Sequence, residues 1–443
     1  MRSALPGAVR LLGLSCALAL GSAETAQAQA LDSLMALARR TSPAVSAAEA
    51  RLKAARAGVS PAAALPDPML MVGVVNLPLG GPGFRDEMTM KMVGLEQTLP
   101  LHGKRGLRRV AAAGEVEAAQ AGLEEAQRAA ARDVAAAWFD LALADSLRGL
   151  AERQHRLLLA VARAAQAGYA AGRGGQEEPL RIQTELVRLS GEVAALRVER
   201  TRALARLNAL LGRAWVIPVG APTFPDRIQR AAFADSGGAV RFADTALGAF
   251  AARSPLPPID SLQAAVLTTS PMIRAHLAEL AAQSARVELA VREARPDPTF
   301  ALQYGQRTGM ADMITATVSL PIPLWRGRKQ GQMAVAERAT LDALEHEHHR
   351  MAAELEAEVL DLAQTTELHR TRLALYQAGV LPRARAAAEA ALAGYRMGRT
   401  SFQGVLDTYM TLYTYEADAV RLLTEFAKAV LALEALAGQE VVS

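Results

Sequence analysis

Residues 167–173 read Ala-Gly-Tyr-Ala-Ala-Gly-Arg, and residues 393–399 read Ala-Gly-Tyr-Arg-Met-Gly-Arg. Other segments recur at nearly the same separation. Leu-Asp-Ser-Leu at 31–34 returns as Ile-Asp-Ser-Leu at 259–262, and Pro-Asp-Pro at 66–68 returns at 296–298. The period is much longer than the roughly 20–50 residues of a solenoid repeat. The sequence therefore predicts one folding pattern that is written twice in tandem.

The first thirty residues have the pattern of a secretory signal. Arg2 and Arg10 precede the apolar stretch 11–20, and Ala-Gln-Ala at 28–30 suits a cleavage site. Cys16, the only cysteine, lies inside this segment, so we expect an exported chain without disulfides or a cysteine-bound metal, and lipidation of Cys16 is disfavoured. No later apolar run reaches the roughly 18 residues of a transmembrane helix, which leaves only a β-type membrane element. The net charge of +4, without a basic patch, argues against nucleic acid as a partner.

Two long stretches without proline predict long helices. They lie at 101–178 and 324–381 and are rich in Ala, Leu, Glu, Gln and Arg, which favour helix. The repeated Gly-Tyr segments interrupt them, and glycine supplies the positive φ that ends a helix. We therefore expect two helical hairpins, at about 104–211 and about 326–437.

Apolar and small polar residues alternate before each long helix, which predicts β-hairpins with two different faces. The strands are expected at 69–75 and 88–98 in the first half, and at 299–305 and 313–320 in the second, where residues 306–309 form the loop. Met88, Met90 and Met92 share one predicted face. We expect this face to contact lipid as flexible apolar filling, rather than to bind a soft ion such as Cu(I).

Four strands are too few to close a membrane barrel, and an open edge in lipid leaves backbone groups unsatisfied. The chain is therefore expected to self-associate, and three copies would supply twelve strands. The predicted organisation is a signal peptide at 1–30, a first repeat at 31–212 with its β-hairpin at about 69–98, a linker at 213–258, and a second repeat at 259–443 with its β-hairpin at about 299–320.

Taken together, these features resemble the TolC family of outer-membrane efflux proteins. Leu-Pro-Leu-His-Gly-Lys at 99–104 and Ile-Pro-Leu-Trp-Arg-Gly-Arg at 322–328 are similar to the strand-to-helix junction of that family, and of its heavy-metal efflux branch in particular. The resemblance implies a mainly α fold with a membrane β-barrel portion: a homotrimer with a periplasmic α-helical barrel and a 12-stranded β-barrel in the outer-membrane lipid.

The same resemblance implies a passive exit duct of a tripartite efflux system. Such a duct is not an enzyme and has no catalytic residue, metal or cofactor of its own. Its partners are a periplasmic adaptor and an inner-membrane pump of the RND type. Two alternatives stay open: the outer-membrane component of a type I protein-secretion system, and a periplasmic coiled-coil adaptor or scaffold. Metal ions, drugs and polypeptides are all possible cargo.

The resemblance also assigns residues near the periplasmic entrance. Asp407 aligns with the second of two aspartates that narrow the entrance in the family, whereas Gly404 replaces the first, so a single ring of three carboxylates is expected. A solvated helix carboxylate is the alternative for Asp407. The two turns at which the family docks its adaptor correspond to Gly168, Tyr169, Gly172, Arg173, Gly394, Tyr395, Gly398 and Arg399.

One cluster suggests a metal site at first sight. Glu345, His346, Glu347, His348 and His349 combine imidazole and carboxylate groups, and His346 and His349 share a helix face. The order of the residues does not match a metalloprotease motif, and a solvated helix face is the favoured interpretation.

Overall fold

The computed structural model describes residues 31–81, 83–172, 175–233 and 256–442. The predicted signal segment, residues 234–255 of the predicted linker and Arg173 lie outside the described residues. The first half contains α1 (Leu31–Thr41), α2 (Pro43–Ala63), β1 (Met69–Val75), β2 (Met90–Thr98), α3 (Lys104–Ala170), α4 (Glu177–Leu210) and the short α5 (Asp226–Phe233).

The second half repeats this order. It contains α6 (Ile259–Thr269), α7 (Pro271–Arg292), β3 (Thr299–Arg307), β4 (Met313–Ser319), α8 (Gln330–Leu375), α9 (Leu381–Arg396) and α10 (Phe402–Ala437). Each half thus has a pair of leading helices, a β-hairpin and a long helical hairpin. The tandem pattern of the sequence corresponds to this duplicated order of elements.

The longest helix, α3, has 67 residues, which is about 100 Å at roughly 1.5 Å per residue. Its counterpart in the second half has the same length but is not continuous. A π-helical turn at Tyr376–Val380 separates α8 from α9. Pro382 lies in the first turn of α9, where a missing backbone N–H costs little. The second long helix also begins at Gln330, a little later than the predicted start near 326.

The four strands form one antiparallel sheet in the order β1-β2-β3-β4. The central pairing joins the two repeats, because β2 pairs with β3 in a register that sets Thr98 opposite Thr299. The predicted loop at 306–309 was wrong in its first half, since β3 continues through Arg307. The Arg307 side chain donates to the backbone oxygen of Ala311 and closes the hairpin beyond that point.

One apolar core is shared by the two halves. It includes Leu34 of α1, Trp138 of α3, Val359 of α8 and Phe426 of α10, all buried. The Trp138 indole also donates to the Thr223 backbone oxygen at 2.9 Å, which ties the start of the linker to the core. A second cluster fills the hairpins towards their tips. Among the helices in the described residues, none combines the length and hydrophobicity that crossing a bilayer requires.

Candidate functional site

The two hairpin tips share one way of ending a helix. Gly172 and Gly398 have φ of 69° and 71°. The N–H of Gly398 donates to Tyr395 O at 3.0 Å, and the N–H of Arg399 donates to Gly394 O at 2.8 Å. These two bonds form the glycine-terminated cap that satisfies the last carbonyl groups of a helix. The prediction that glycine ends the long helices therefore holds for Gly172 and Gly398.

The earlier glycine of each repeated segment has a different role. Gly168 and Gly394 lie inside α3 and α9 and do not form the reversal. A Cβ on Gly394 would lie 2.2 Å from Thr400 Oγ1, so the absence of a side chain lets the chain fold back closely. Beyond this contact, Ser401 begins α10 by accepting the Gly404 N–H at 3.2 Å.

The tyrosines of the two tips differ in their surroundings. Tyr169 is exposed, whereas the Tyr395 ring packs edge-on against Phe402, with the centroids 5.9 Å apart. The Tyr395 hydroxyl donates to Glu178 Oε2 at 3.4 Å, and Glu178 belongs to the other hairpin. Burial raises the pKa of Tyr395, and the nearby Glu178 carboxylate adds to this effect. The second tip is therefore attached to the first through Tyr395, while Tyr169 and Arg399 are exposed.

Asp407 lies near the start of α10, on the side that faces away from the packed core. Its neighbours Val405 and Leu406 are buried, whereas Asp407 is exposed and accepts a hydrogen bond from Gln403 Nε2 at 2.7 Å. Thr411 and Thr414 continue the same exposed side along the helix. Polar groups with this placement can line a water-filled passage in an assembly of several chains.

A second contact between the hairpins was not predicted. The Tyr413 hydroxyl on α10 donates to Glu192 Oε1 on α4 at 2.5 Å. Burial of the phenol, followed by this hydrogen bond, raises the pKa of Tyr413. The two residues are far apart in sequence, and no local pattern indicated that they would meet.

The strand-to-helix junction contains a buried ion pair. Lys104 is buried, and its Nζ lies 2.8 Å from Asp297 Oδ2 and donates to Arg295 O at 2.7 Å. Asp297 Oδ1 accepts the Leu101 N–H at 2.9 Å. The Gly-Lys of the first repeat is thus held by the Pro-Asp-Pro of the second. The sequence contained both motifs but did not show that they meet.

The two faces of the sheet differ in polarity. One face carries most of the large apolar side chains of the strands, among them Leu70, Val72, Val93, Leu95, Phe300, Leu302, Ile314 and Val318. Lys91, Gln97 and Gln306 also lie on this face. Met90 and Met92 lie on the opposite face, together with Glu96 and Gln303. The prediction that these methionines lie on the apolar face was therefore wrong, because alternation separates two faces without showing which is the more apolar across neighbouring strands. Met88 precedes β2 and belongs to neither face.

The histidine-rich segment lies on α8, where Glu345, His346, Glu347 and His349 are exposed and only His348 is half-buried. His348 stacks on His276 of α7, with the ring centroids 5.7 Å apart, and His276 is buried. Glu347 Oε2 lies 4.0 Å from His276 Nε2. Within the part of the chain that the structure describes, no group of three or more such side chains is arranged to hold a metal ion. His276 is the member of this cluster that sequence reasoning missed, because it comes from the neighbouring helix.

The sequence of this chain is similar to those of known proteins. A family model described as outer membrane efflux protein matches residues 34–213. The cobalt-zinc-cadmium resistance protein CzcC of Cupriavidus metallidurans is 24% identical over 417 residues, covering 94% of this chain and 91% of CzcC.

Solved structures of membrane proteins share the fold over nearly the whole chain. VceC from Vibrio cholerae has a TM-score of 0.74 at 17% identity, covering 93% of this chain and 96% of VceC. CusC has a TM-score of 0.75 at 16% identity, covering 92% of each chain. The outer-membrane channel OprN has a TM-score of 0.74 at 19% identity, covering 92% of this chain and 89% of OprN.

Proposed function

The chain belongs to the outer membrane efflux protein family, and from that premise we propose that three copies form the exit duct of a tripartite export system. The duct opens at the cell surface through the sheets and reaches into the periplasm through the helical hairpins. It conducts its cargo passively, while an inner-membrane pump of the RND type supplies the energy through a periplasmic adaptor. The predicted signal at 1–30 would direct the chain across the inner membrane.

The four-stranded sheet is the observation that carries this proposal. Its more apolar face is exposed in the single chain, and among the described residues nothing pairs with the outer edges of β1 and β4. In lipid, unsatisfied backbone groups cost several kcal/mol each, so only closed β structures are stable there. Three sheets of four strands close into a barrel of twelve, with the apolar face towards lipid and the face of Met90, Met92 and Glu96 towards the lumen.

We assign the two ends of the helical hairpins separate roles in this duct. The exposed Tyr169 and Arg399, beside the glycine turns at Gly172 and Gly398, would meet the adaptor. Asp407 on the exposed side of α10 would face the axis, where three copies make a ring that attracts cations. The Tyr395 contact with Glu178 supports this arrangement because it sets the spacing between the two tips.

We propose divalent transition-metal cations as the cargo class. CzcC is named for resistance to cobalt, zinc and cadmium, and this chain aligns with 91% of its length. A negative ring at Asp407 suits such ions better than it suits anionic solutes.

A deletion strain tests the function and the cargo together. Growth inhibition should be measured with Co²⁺, Zn²⁺, Cd²⁺, Ag⁺ and a panel of organic drugs, together with the retained metal in the cells. We expect sensitivity and retention of divalent metals, restored by the wild-type chain on a plasmid. Sensitivity to drugs alone would contradict the metal cargo, and loss of a secreted polypeptide with unchanged resistance would favour the secretion system instead.

A further inference from the structure

The sheet joins the two repeats at one strand pair, and its two outer strands could form a second pair of the same kind between chains. Within the chain, β2 of the first repeat pairs with β3 of the second. By the repeat, β4 is the counterpart of β2 and β1 is the counterpart of β3. These two strands lie at the outside of the sheet, and in the part of the chain that the structure describes each has one edge that pairs with no other strand. In a closed ring of copies, β4 of one chain meets β1 of the next.

The register of this second junction follows from the internal repeat. Met69 lies opposite Glu96 in the first hairpin, and Thr299 lies opposite Ser319 in the second. Aligning these pairs makes Met71 the counterpart of Ala301 and Ser319 the counterpart of Glu96. Glu96 lies opposite Ala301 in the central pairing. The observed junction is therefore a template for the one between chains.

We propose that β4 pairs with β1 of the partner subunit so that Ser319 lies opposite the partner's Met71. The proposal rests on the trimeric duct proposed above. It places Val318 opposite the partner's Val72, just as Leu95 lies opposite Leu302 within the chain. The apolar face then continues across the junction. A shift of one residue would bring polar side chains to that face, because side chains alternate with a period of two.

An ion pair selects this register over a shift of two residues, which would keep the faces. Lys104 and Asp297 close the base of the β2–β3 junction. Asp67 in the first Pro-Asp-Pro is the counterpart of Asp297, and Arg328 in Gly-Arg is the counterpart of Lys104 in Gly-Lys. Asp67 and Arg328 are both exposed, and within the described residues neither side chain has a hydrogen bond or an ion pair. Arg328 is thus placed to bind Asp67 of the partner subunit.

Cysteine cross-linking tests the register directly, since the only natural cysteine is Cys16 in the predicted signal. Directly opposed antiparallel residues have Cα atoms about 4.5 or 5.5 Å apart, within reach of a disulfide. We expect mild oxidation of the M71C/S319C double variant to give covalent dimers and trimers on a non-reducing gel. The matched control M71C/T317C is displaced by two residues on the same face, about 7–8 Å, and should give at most a tenth or so of that product.

Different results of these experiments would contradict the proposed register and the proposed function. Cross-linking through Thr317→Cys in place of Ser319→Cys, or through neither in an intact trimer, would overturn the register and leave the duct standing. A wild-type chain that forms no trimer in outer membranes would instead overturn the proposed function.

Charge exchange tests the ion pair. D67R and R328D should each lower the temperature at which the trimer dissociates on a gel, and the double variant should recover most of the loss. R326D is the matched control, because Arg326 is also exposed but is not the counterpart of Lys104; D67R should not rescue it. If the trimer of the double variant dissociates at no higher temperature than that of the less stable single variant, the proposed pairing is wrong. If a single charge variant does not assemble into a trimer, the cysteine cross-linking experiment tests the register on its own.

Discussion

Gly398 has open space around the position of a Cβ, so only its backbone conformation explains the need for glycine. At a φ of 71°, a residue with a Cβ destabilises this backbone conformation by about 1–2 kcal/mol relative to glycine. We expect Gly398→Ala to speed hydrogen exchange of the segment 393–403 about 5- to 30-fold. Gly191→Ala is the matched control, since Gly191 lies within α4, also with open space, and this change should leave exchange at the tip unaltered. Equal exchange in wild type and Gly398→Ala would contradict this role.

Asp407→Asn removes a charge without changing the shape of the side chain. In planar bilayers we expect a lower ratio of cation to anion permeability than in wild type, with the larger difference at low salt because screening is weaker there. Asp418→Asn serves as the control, because Asp418 lies further along α10 and is paired with Arg421 at 2.9 Å. An unchanged ratio in a correctly assembled Asp407→Asn trimer would remove Asp407 from the entrance.

At the scale of residues, the sequence predicted what depends on local conformation. Gly172 and Gly398 could be identified because a helix reversal needs a positive φ at a definite place. The contacts of Tyr413 with Glu192 and of Lys104 with Asp297 could not, because their partners lie on distant segments that only the folded chain brings together. Ion pairs and hydrogen bonds of this kind leave no periodic signal.

The buried lysine joins the two halves at the level of whole elements. In Lys104→Met, Asp297 would lose the cation beside it while remaining mostly buried. Removing one partner of a buried pair costs about 3 kcal/mol or more, so the unfolding temperature measured by tryptophan fluorescence should fall clearly. Arg350→Met is the control, because Arg350 and Glu354 form an exposed pair within α8 and contribute about 0.3–0.5 kcal/mol. An equal decrease in unfolding temperature for both variants would show that the buried ion pair stabilises the fold no more than the exposed one.

The link between α4 and α10 predicts a dependence on alkaline pH. Burial and the Glu192 carboxylate raise the pKa of Tyr413 in the folded chain above the ordinary value of about 10. The stability from this link is therefore complete below about pH 10 and is lost as the pH rises further. The unfolding temperature of Tyr413→Phe should fall less steeply than that of wild type above pH 10. Tyr169→Phe, at an exposed position, should behave as wild type; the same slope in all three would contradict the link.

The methionine strands show where periodicity stops being informative. Alternation correctly placed Met90 and Met92 on one face of β2, but the side chains on the other three strands decide which face is the more apolar. The polarity of a face therefore depends on neighbours in space. The π-helical turn at Tyr376–Val380 was not predicted either, although Gly379 within it and Pro382 just after it are poor helix formers and mark a break in the pattern.

The molecule as a whole folds around a core to which both halves contribute. Leu34 and Phe139 from the first half pack with Val359 and Phe426 from the second. We expect the fragments 1–240 and 241–443, the second fused to its own signal, to assemble into a functional duct when produced together. Either alone should be degraded, since its half of the core is exposed to water. Recovery of one fragment as a stable soluble domain would contradict the shared core.

The free edges of β1 and β4 also have a genetic consequence. Because each pore contains three chains, a subunit with a defective β1 or β4 edge prevents the barrel from closing in every trimer that includes it. A cell that expresses the wild-type chain and an edge-strand variant together would therefore contain only a small minority of functional trimers. Such a variant would be dominant, whereas deletion of one of the two gene copies would be tolerated.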